Sequence, residues 1–159
     1  MRTKLYLAVD SAHFFLFHPD DCPDAAGQIA PPDEALAEGL VVGLRLGGDG
    51  TRAVEVTDEP TDADLADVAS EPLVFPLDVR HGPLYATDRM ASPAAYDWPN
   101  EVHADVSPGL YIARWYLLSD AGRERRNCNW LLTLEEVATI DDVPAWDDLP
   151  HEDDLRRIR

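Results

Sequence analysis

The sequence predicts an all-β protein, an antiparallel β-sandwich with one or two short helices. About nine short apolar runs either alternate between two faces or are rich in β-branched and aromatic residues. Turn signals built from Gly, Pro, Asp and Ser separate these runs. The predicted strands span residues 5–9, 14–17, 41–46, 52–56, 73–79, 84–88, 102–106, 110–118 and 129–134.

The first two strands have different patterns. Leu5, Leu7 and Val9 share one face of the first run, as in a strand with one buried face. The second run, 14–17, is densely apolar and ends where His18 meets a Pro-Asp-Asp turn. These two runs therefore predict consecutive strands joined by a turn at residues 10–11.

Two short helices are the only helical signals. The first is predicted at 33–38, between two prolines and Gly39, which suit a helix start and stop. The second is a helical turn within 61–70, where Leu65 and Val68 have the spacing that faces a core. Between these helices, the turn 47–50 (Gly-Gly-Asp-Gly) predicts a hairpin of strands 41–46 and 52–56.

The next predicted strand begins at residue 73. Residues 73–79 alternate strictly, but Pro76 lacks the N–H that a central strand needs, so this strand is predicted at a sheet edge. The short run 84–88 is predicted to pair back on it. Residues 102–106 alternate as well.

The strongest strand is predicted at 110–118. Both of its faces are mostly apolar, which favours a central position in a sheet. A charged turn is expected at 119–126, and the run 129–134 is predicted to return beside the central strand. Residues 1–140 are thus expected to form a single domain. Residues 141–159 are expected to be an acidic C-terminal tail packed on it through Trp146, and Pro144 and Pro150 argue against a helix over 141–154.

Charge limits the kinds of partner. Thirty-one acidic residues face thirteen basic ones, giving a net charge of −18, and only one of the basic residues is a lysine. Such a surface repels nucleic-acid phosphates and anionic lipid and attracts basic proteins. Neither a nucleic-acid nor a membrane partner is expected. The acid excess has three open interpretations: adaptation to habitat, solubility, or a docking face.

The remaining bulk features indicate a cytoplasmic protein. No apolar run approaches the roughly 18 residues needed to span a bilayer, and the N-terminal run is too short for a signal peptide. The two cysteines, Cys22 and Cys128, match no metal motif and suggest no disulfide framework.

The histidine, serine and acidic residues near the N-terminus do not predict a catalytic or metal site. His13 and His18, with three potential ligands at residues 20–22, could bind a metal, but their spacing puts the two histidines on opposite faces of a strand. Asp10, Ser11 and His13 lack the surrounding motif of a nucleophile and fit a turn better. We therefore expect no catalytic residue, no metal and no cofactor.

One stretch resembles a known family. Residues 73–79 (Leu-Val-Phe-Pro-Leu-Asp-Val), a short strand through Leu84, and residues 102–111 (Val-His-Ala-Asp-Val-Ser-Pro-Gly-Leu-Tyr) are similar to bacterial competence proteins of the DNA-entry nuclease inhibitor type. The early strand with His13-Phe14-Phe15 is similar too. The resemblance implies a β fold and a protein that silences a nuclease by binding it, without catalytic residues of its own.

Charge and resemblance together predict a small acidic, non-enzymatic protein that neutralises a basic partner, a nuclease or toxin. Acidic groups and an exposed aromatic residue are the expected contacts. The predicted partner-binding residues are Asp58, Glu59, Asp62, Asp97, Trp98 and Glu101.

Two alternatives stay open. The first is a carbohydrate- or small-molecule-binding β-sandwich, or an enzyme of unknown chemistry. It would use Tyr96, Trp98 and Trp115 as an aromatic platform, or a pocket with His13, His81 or His103 near a carboxylate. The second is a bacterial protein with a structural role in a larger system and no enzymatic activity.

Overall fold

The computed structural model describes residues 1–22, 28, 30–89 and 102–157. This part of the chain is mostly β, with nine strands in two sheets. The strands are β1 Arg2–Val9, β2 His13–Phe17, β3 Val42–Arg45, β4 Gly50–Thr57, β5 Leu73–Val79, β6 Leu84–Thr87, β7 His103–Ala104, β8 Gly109–Leu117 and β9 Trp130–Val137.

The five-stranded sheet has the order β1-β4-β9-β8-β5, and the four-stranded sheet has the order β3-β2-β6-β7. All pairs are antiparallel except β4 with β9, where Val54 pairs with Trp130 in parallel register. The expectation of purely antiparallel pairing is therefore wrong at this one position. Parallel neighbours need a long connection, and more than 70 residues separate β4 from β9.

Two predicted strand pairings are also wrong. β3 and β4 do not form a hairpin, because β3 pairs with β2 whereas β4 pairs with β1 and β9. β6 does not pair back on β5; it lies between β2 and β7. In both cases the turn was located correctly, but the chain crosses to the other sheet there. Turn residues mark a reversal of direction and carry no information about the partner strand.

The positions predicted for two strands are confirmed. β5, which contains Pro76, is an edge strand of its sheet, and β8 lies inside it between β9 and β5. β8 and β9 pair over eight residues, from Leu110–Val137 to Leu117–Trp130.

The described chain contains four α-helices, more than the one or two expected. They are α1 Asp33–Ala37, α2 Asp62–Ala66, α3 Asp120–Arg126 and α4 Asp153–Arg157. α3 replaces the predicted charged turn. Ser119 caps it by accepting a hydrogen bond from the Gly122 amide, and Asn127 ends it in the left-handed conformation. The buried residue of α3 is Gly122. A helix that buries one glycine has no apolar periodicity in its sequence, so the pattern did not predict α3.

The largest cluster of buried side chains draws on strands of both sheets. Phe14 of β2 makes edge-to-face ring contacts with Trp115 of β8 and Trp130 of β9, at centroid distances of 6.2 and 5.4 Å. The two sheets therefore share a core, and the sandwich arrangement stays a prediction.

The C-terminal segment also contributes to buried clusters. Leu155 joins the largest cluster, and Leu149 joins a second one formed with β2 and α1. Trp146 donates its indole N–H to the Val74 carbonyl oxygen at 2.9 Å and packs against Phe75.

Among the described residues, no helix is both long enough and apolar enough to cross a lipid bilayer.

Candidate interaction surface

The segment from β4 to the residue after α2 carries six acidic side chains in two different environments. Glu55 lies in β4, Asp64 in α2 and Asp67 directly after α2, and all three are buried. The other three acids, Asp58, Glu59 and Asp62, are exposed. We name the first set, with its arginines, the ion-pair cluster, and residues 58–62 the acidic loop.

The ion-pair cluster consists of three carboxylates and three arginines. Arg2 of β1 donates to Asp64 at 2.7 Å and to Glu55 at 3.0 Å. Arg126, at the end of α3, pairs with Glu55, with Asp64 at 2.8 Å and with Asp67 at 2.9 Å. Arg125 pairs with Asp67 as well. Arg125 and Arg126 lie in the region predicted to be a charged turn, which is α3, and they pair with acids 58 to 71 residues earlier in the chain.

These contacts shift the pKa values of Asp64, Asp67 and Arg126. Hydrogen bonds from Arg2 hold the pKa of Asp64 well below its usual range, although burial acts in the opposite direction. Hydrogen bonds from Arg125 lower the pKa of Asp67. Burial disfavours the charged form of Arg126, but hydrogen bonds to Asp67, Asp64 and Glu55 outweigh it and raise the pKa of the guanidinium. The negative charges of the three carboxylates are therefore balanced by arginines within the fold.

Hydrogen bonds to its backbone hold the acidic loop in place, and its carboxylates are exposed. The Glu59 amide donates to the Thr57 hydroxyl at 3.1 Å, and Thr61 and Asp64 form a capping box that starts α2. Asp58 contacts the Met1 amino group at 2.7 Å. Across residues 1–22, 28, 30–89 and 102–157, no basic side chain forms an ion pair with Glu59 or Asp62.

Glu136 adds to the negative charge near this loop. It lies opposite Tyr111 in the β8–β9 pair, and Tyr111 donates its hydroxyl to the Ser107 carbonyl oxygen at 2.8 Å. Burial raises the pKa of Tyr111, and the charges of Glu136 and Asp58 raise it further. Asp58 and Glu136 therefore act on the same phenol. The sequence prediction missed Glu136, although an acidic pair after the apolar run 129–134 was the signal for it.

The other predicted partner-binding residues, Asp97, Trp98 and Glu101, lie outside the described residues, as does Tyr96. Their assignment stays a prediction. The structure does exclude Trp115 from an aromatic platform, because its side chain is fully buried in the largest core cluster. That part of the carbohydrate-binding alternative is wrong, and the reason is that the alternation of strand 110–118 turns Trp115 inward with Ala113 and Tyr111.

The histidines do not assemble a metal site among the described residues. His13 Nδ1 lies 2.6 Å from the Ser11 carbonyl oxygen at the start of β2, and His18 accepts a hydrogen bond from the Asp20 amide at the other end. His81 Nδ1 lies 2.7 Å from an oxygen of Asp21, and His103 Nε2 lies 3.7 Å from Asp105. These histidines lie at the ends of strands or in turns. Burial lowers the pKa of His18.

The Asp10-Ser11-His13 turn is structural. The Asp10 amide donates to Asp88 at 2.9 Å, and the Ser11 hydroxyl donates to the Asp88 carbonyl oxygen, so the turn is fastened to the end of β6. Arg89 pairs with Asp10 at 2.8 Å.

Both cysteines are free thiols in separate buried clusters. Burial is the main cause that raises the pKa of Cys22 and of Cys128 to about 11. Thiols with such pKa values carry little thiolate at neutral pH and are weak nucleophiles.

Comparison with known proteins gives fold-level likeness only. No protein-family model matches the sequence, and no curated protein matches it. The solved structure of crocagin biosynthetic gene J is similar, with a TM-score of 0.53 and 15% sequence identity over 86% of this chain and 97% of that one. At this identity the likeness shows a shared fold. A weaker likeness, with a TM-score of 0.49 and 13% identity, is to ComJ, inhibitor of the DNA degrading activity of NucA, from Bacillus subtilis; it covers 85% of this chain and 96% of that one.

Proposed function

We propose that this chain is a non-enzymatic binding protein that docks and neutralises a basic protein partner, using the carboxylates of the acidic loop. The observation that carries the proposal is the contrast within residues 55–67. Three acids there are neutralised by arginines, whereas Glu59 and Asp62 are exposed and form no ion pair within the described part of the chain. Unpaired surface charge of one sign accelerates association with a partner of the opposite sign.

A nuclease or toxin is the partner class we favour. The sequence resemblance of residues 73–118 to nuclease inhibitors supports a nuclease, and a net charge of −18 suits a partner with a basic groove. Asp97, Trp98 and Glu101 remain in the proposed surface, with Trp98 as the aromatic anchor. A typical interface of about 1,600 Å² would leave room for the acidic loop and for these residues.

The experiment is a binding measurement with a purified basic protein encoded by the adjacent gene. Glu59→Lys/Asp62→Lys is compared with Asp141→Lys/Asp142→Lys, which makes the same change in net charge at two other exposed acids. We expect the first variant to weaken binding at least about tenfold at low salt and the second by less than about threefold. Equal losses in the two variants would show that net charge, and not the acidic loop, drives the association.

A further inference from the structure

A cavity of about 460 Å³ lies where β1 and β4 meet the end of α3. Tyr6, Ala53 and Cys128 supply much of its apolar lining, and Arg52, Arg123 and Asn127 supply polar groups. A volume of this size falls within the range of small-molecule sites in proteins. It lies apart from the acidic loop, and the docking function proposed above does not use it.

One arginine of the cavity has no carboxylate partner among the described residues. Of the lysine and arginine side chains that the structure describes, all except Lys4 and Arg52 form an ion pair with an acidic side chain. Arg52 donates a hydrogen bond to the carbonyl oxygen of the preceding residue, Thr51, at 3.3 Å. With 31 acidic residues against 13 basic ones, an unpaired arginine at a cavity is unexpected. A guanidinium there has donors left for an external anion.

Lys4, the other unpaired cation, adds positive charge nearby. It lies two residues before Tyr6 and therefore on the same face of β1. Its partner in the strand register is Glu55, whose carboxylate is already held by Arg2 and Arg126. The charge of Lys4 also acts on the Cys128 thiol, which lines the cavity.

The opposite wall carries further donors. Arg123 pairs with Asp120, whose side chain is 94% exposed, and a guanidinium has five N–H donors, so this pair leaves several of them for a ligand. Asn129 accepts a hydrogen bond from the Ala53 amide at 2.9 Å, which fixes the loop after α3 against β4. This hydrogen bond holds Asn129, at the edge of the cavity, in place without a ligand.

We propose that this cavity binds a small organic anion, with its carboxylate or phosphate group held by Arg52 and Arg123 and its apolar body against Tyr6, Ala53 and Cys128. Arginine matches both oxyanions through paired N–H donors. The apolar lining requires that an anion with an organic body binds more tightly than the bare ion.

Titrations of the ¹⁵N-labelled chain followed by NMR test the proposal, with phenyl phosphate, benzoate and inorganic phosphate as separate probes. We expect saturable shifts at the amides of residues 51–53 and 127–129 with one or both organic probes, at a Kd below about 10 mM. The organic probe that binds more tightly identifies the preferred oxyanion, and inorganic phosphate should bind several-fold more weakly than it.

Variants separate the site from general charge. Arg52→Gln should weaken binding at least about tenfold, Lys4→Gln should weaken it less, and Arg52→Lys should restore part of it. Arg89→Gln is the matched control, because it removes one positive charge from an exposed arginine that pairs with Asp10. Absence of saturable shifts with every probe overturns the proposal, and so does an equal loss of binding in Arg89→Gln and Arg52→Gln.

Discussion

The carboxylates of the ion-pair cluster and those of the acidic loop come from one stretch of thirteen residues, yet they have opposite surroundings. Glu55, Asp64 and Asp67 are buried and contacted by three arginines, while Glu59 and Asp62 are exposed and form no ion pair in the described structure. A buried carboxylate is stable only with a partner, whereas an exposed one is solvated by water. The comparison teaches that net charge does not identify a docking surface, because part of that charge is already neutralised inside the fold.

The largest effect should follow from removing Arg126, which contacts all three carboxylates of the ion-pair cluster. Arg126→Ala leaves buried acids with incomplete partners, and we expect the free energy of unfolding to fall by about 4 kcal/mol. Urea denaturation at neutral pH measures this change through the midpoint and the slope of the transition.

Arg123→Ala is the matched control in α3. Within the described part of the chain Arg123 pairs with the exposed Asp120 alone, so its removal should cost less than about 1 kcal/mol. If both substitutions cost the same, the ion-pair cluster does not stabilise the fold more than an ordinary surface pair, and the contrast between the two groups of acids disappears.

Acid titration is expected to show the next largest effect. Because the pKa of Asp64 in the folded state is below that of the unfolded chain, its contribution is present above the unfolded pKa and is lost as the pH falls. Asp64→Asn should be less stable than the parent chain by about 2 kcal/mol at pH 7, with a gap that narrows between about pH 5 and pH 2. Urea transitions recorded at several pH values check it. A gap that stays constant down to the lowest pH contradicts the assigned role of the Asp64 charge.

The local parts of this structure were predictable from the sequence. Alternation located the strands, Pro76 placed β5 at an edge, and the apolar faces of 110–118 placed β8 inside a sheet.

The long-range parts were not predictable by the same reasoning. Turn signals do not show whether the next strand stays in the same sheet, so the assignments of β4 and β6 were wrong. The ion-pair cluster joins Arg2 to Asp64 across 62 residues and Arg126 to Glu55 across 71. Nothing in the local pattern of residues 55–67 distinguishes acids that meet these arginines from acids that do not. The distinction depends on the register of β1 with β4 and on where α3 packs.

The smallest effect on stability, and the sharpest test of the comparison, is expected from Glu59→Gln/Asp62→Asn. Both side chains are exposed and form no ion pair in the described structure, so the double substitution should change the free energy of unfolding by no more than about 0.5 kcal/mol. Removing two negative charges from a chain of net charge −18 stabilises it at low salt, whereas losing the Asp62 charge from the first turn of α2 opposes this gain, and both contributions should shrink as salt screens them. Urea transitions at low and high salt measure both. A clear loss of stability would mean that these carboxylates have partners within the fold, in which case they are not free to contact a basic protein.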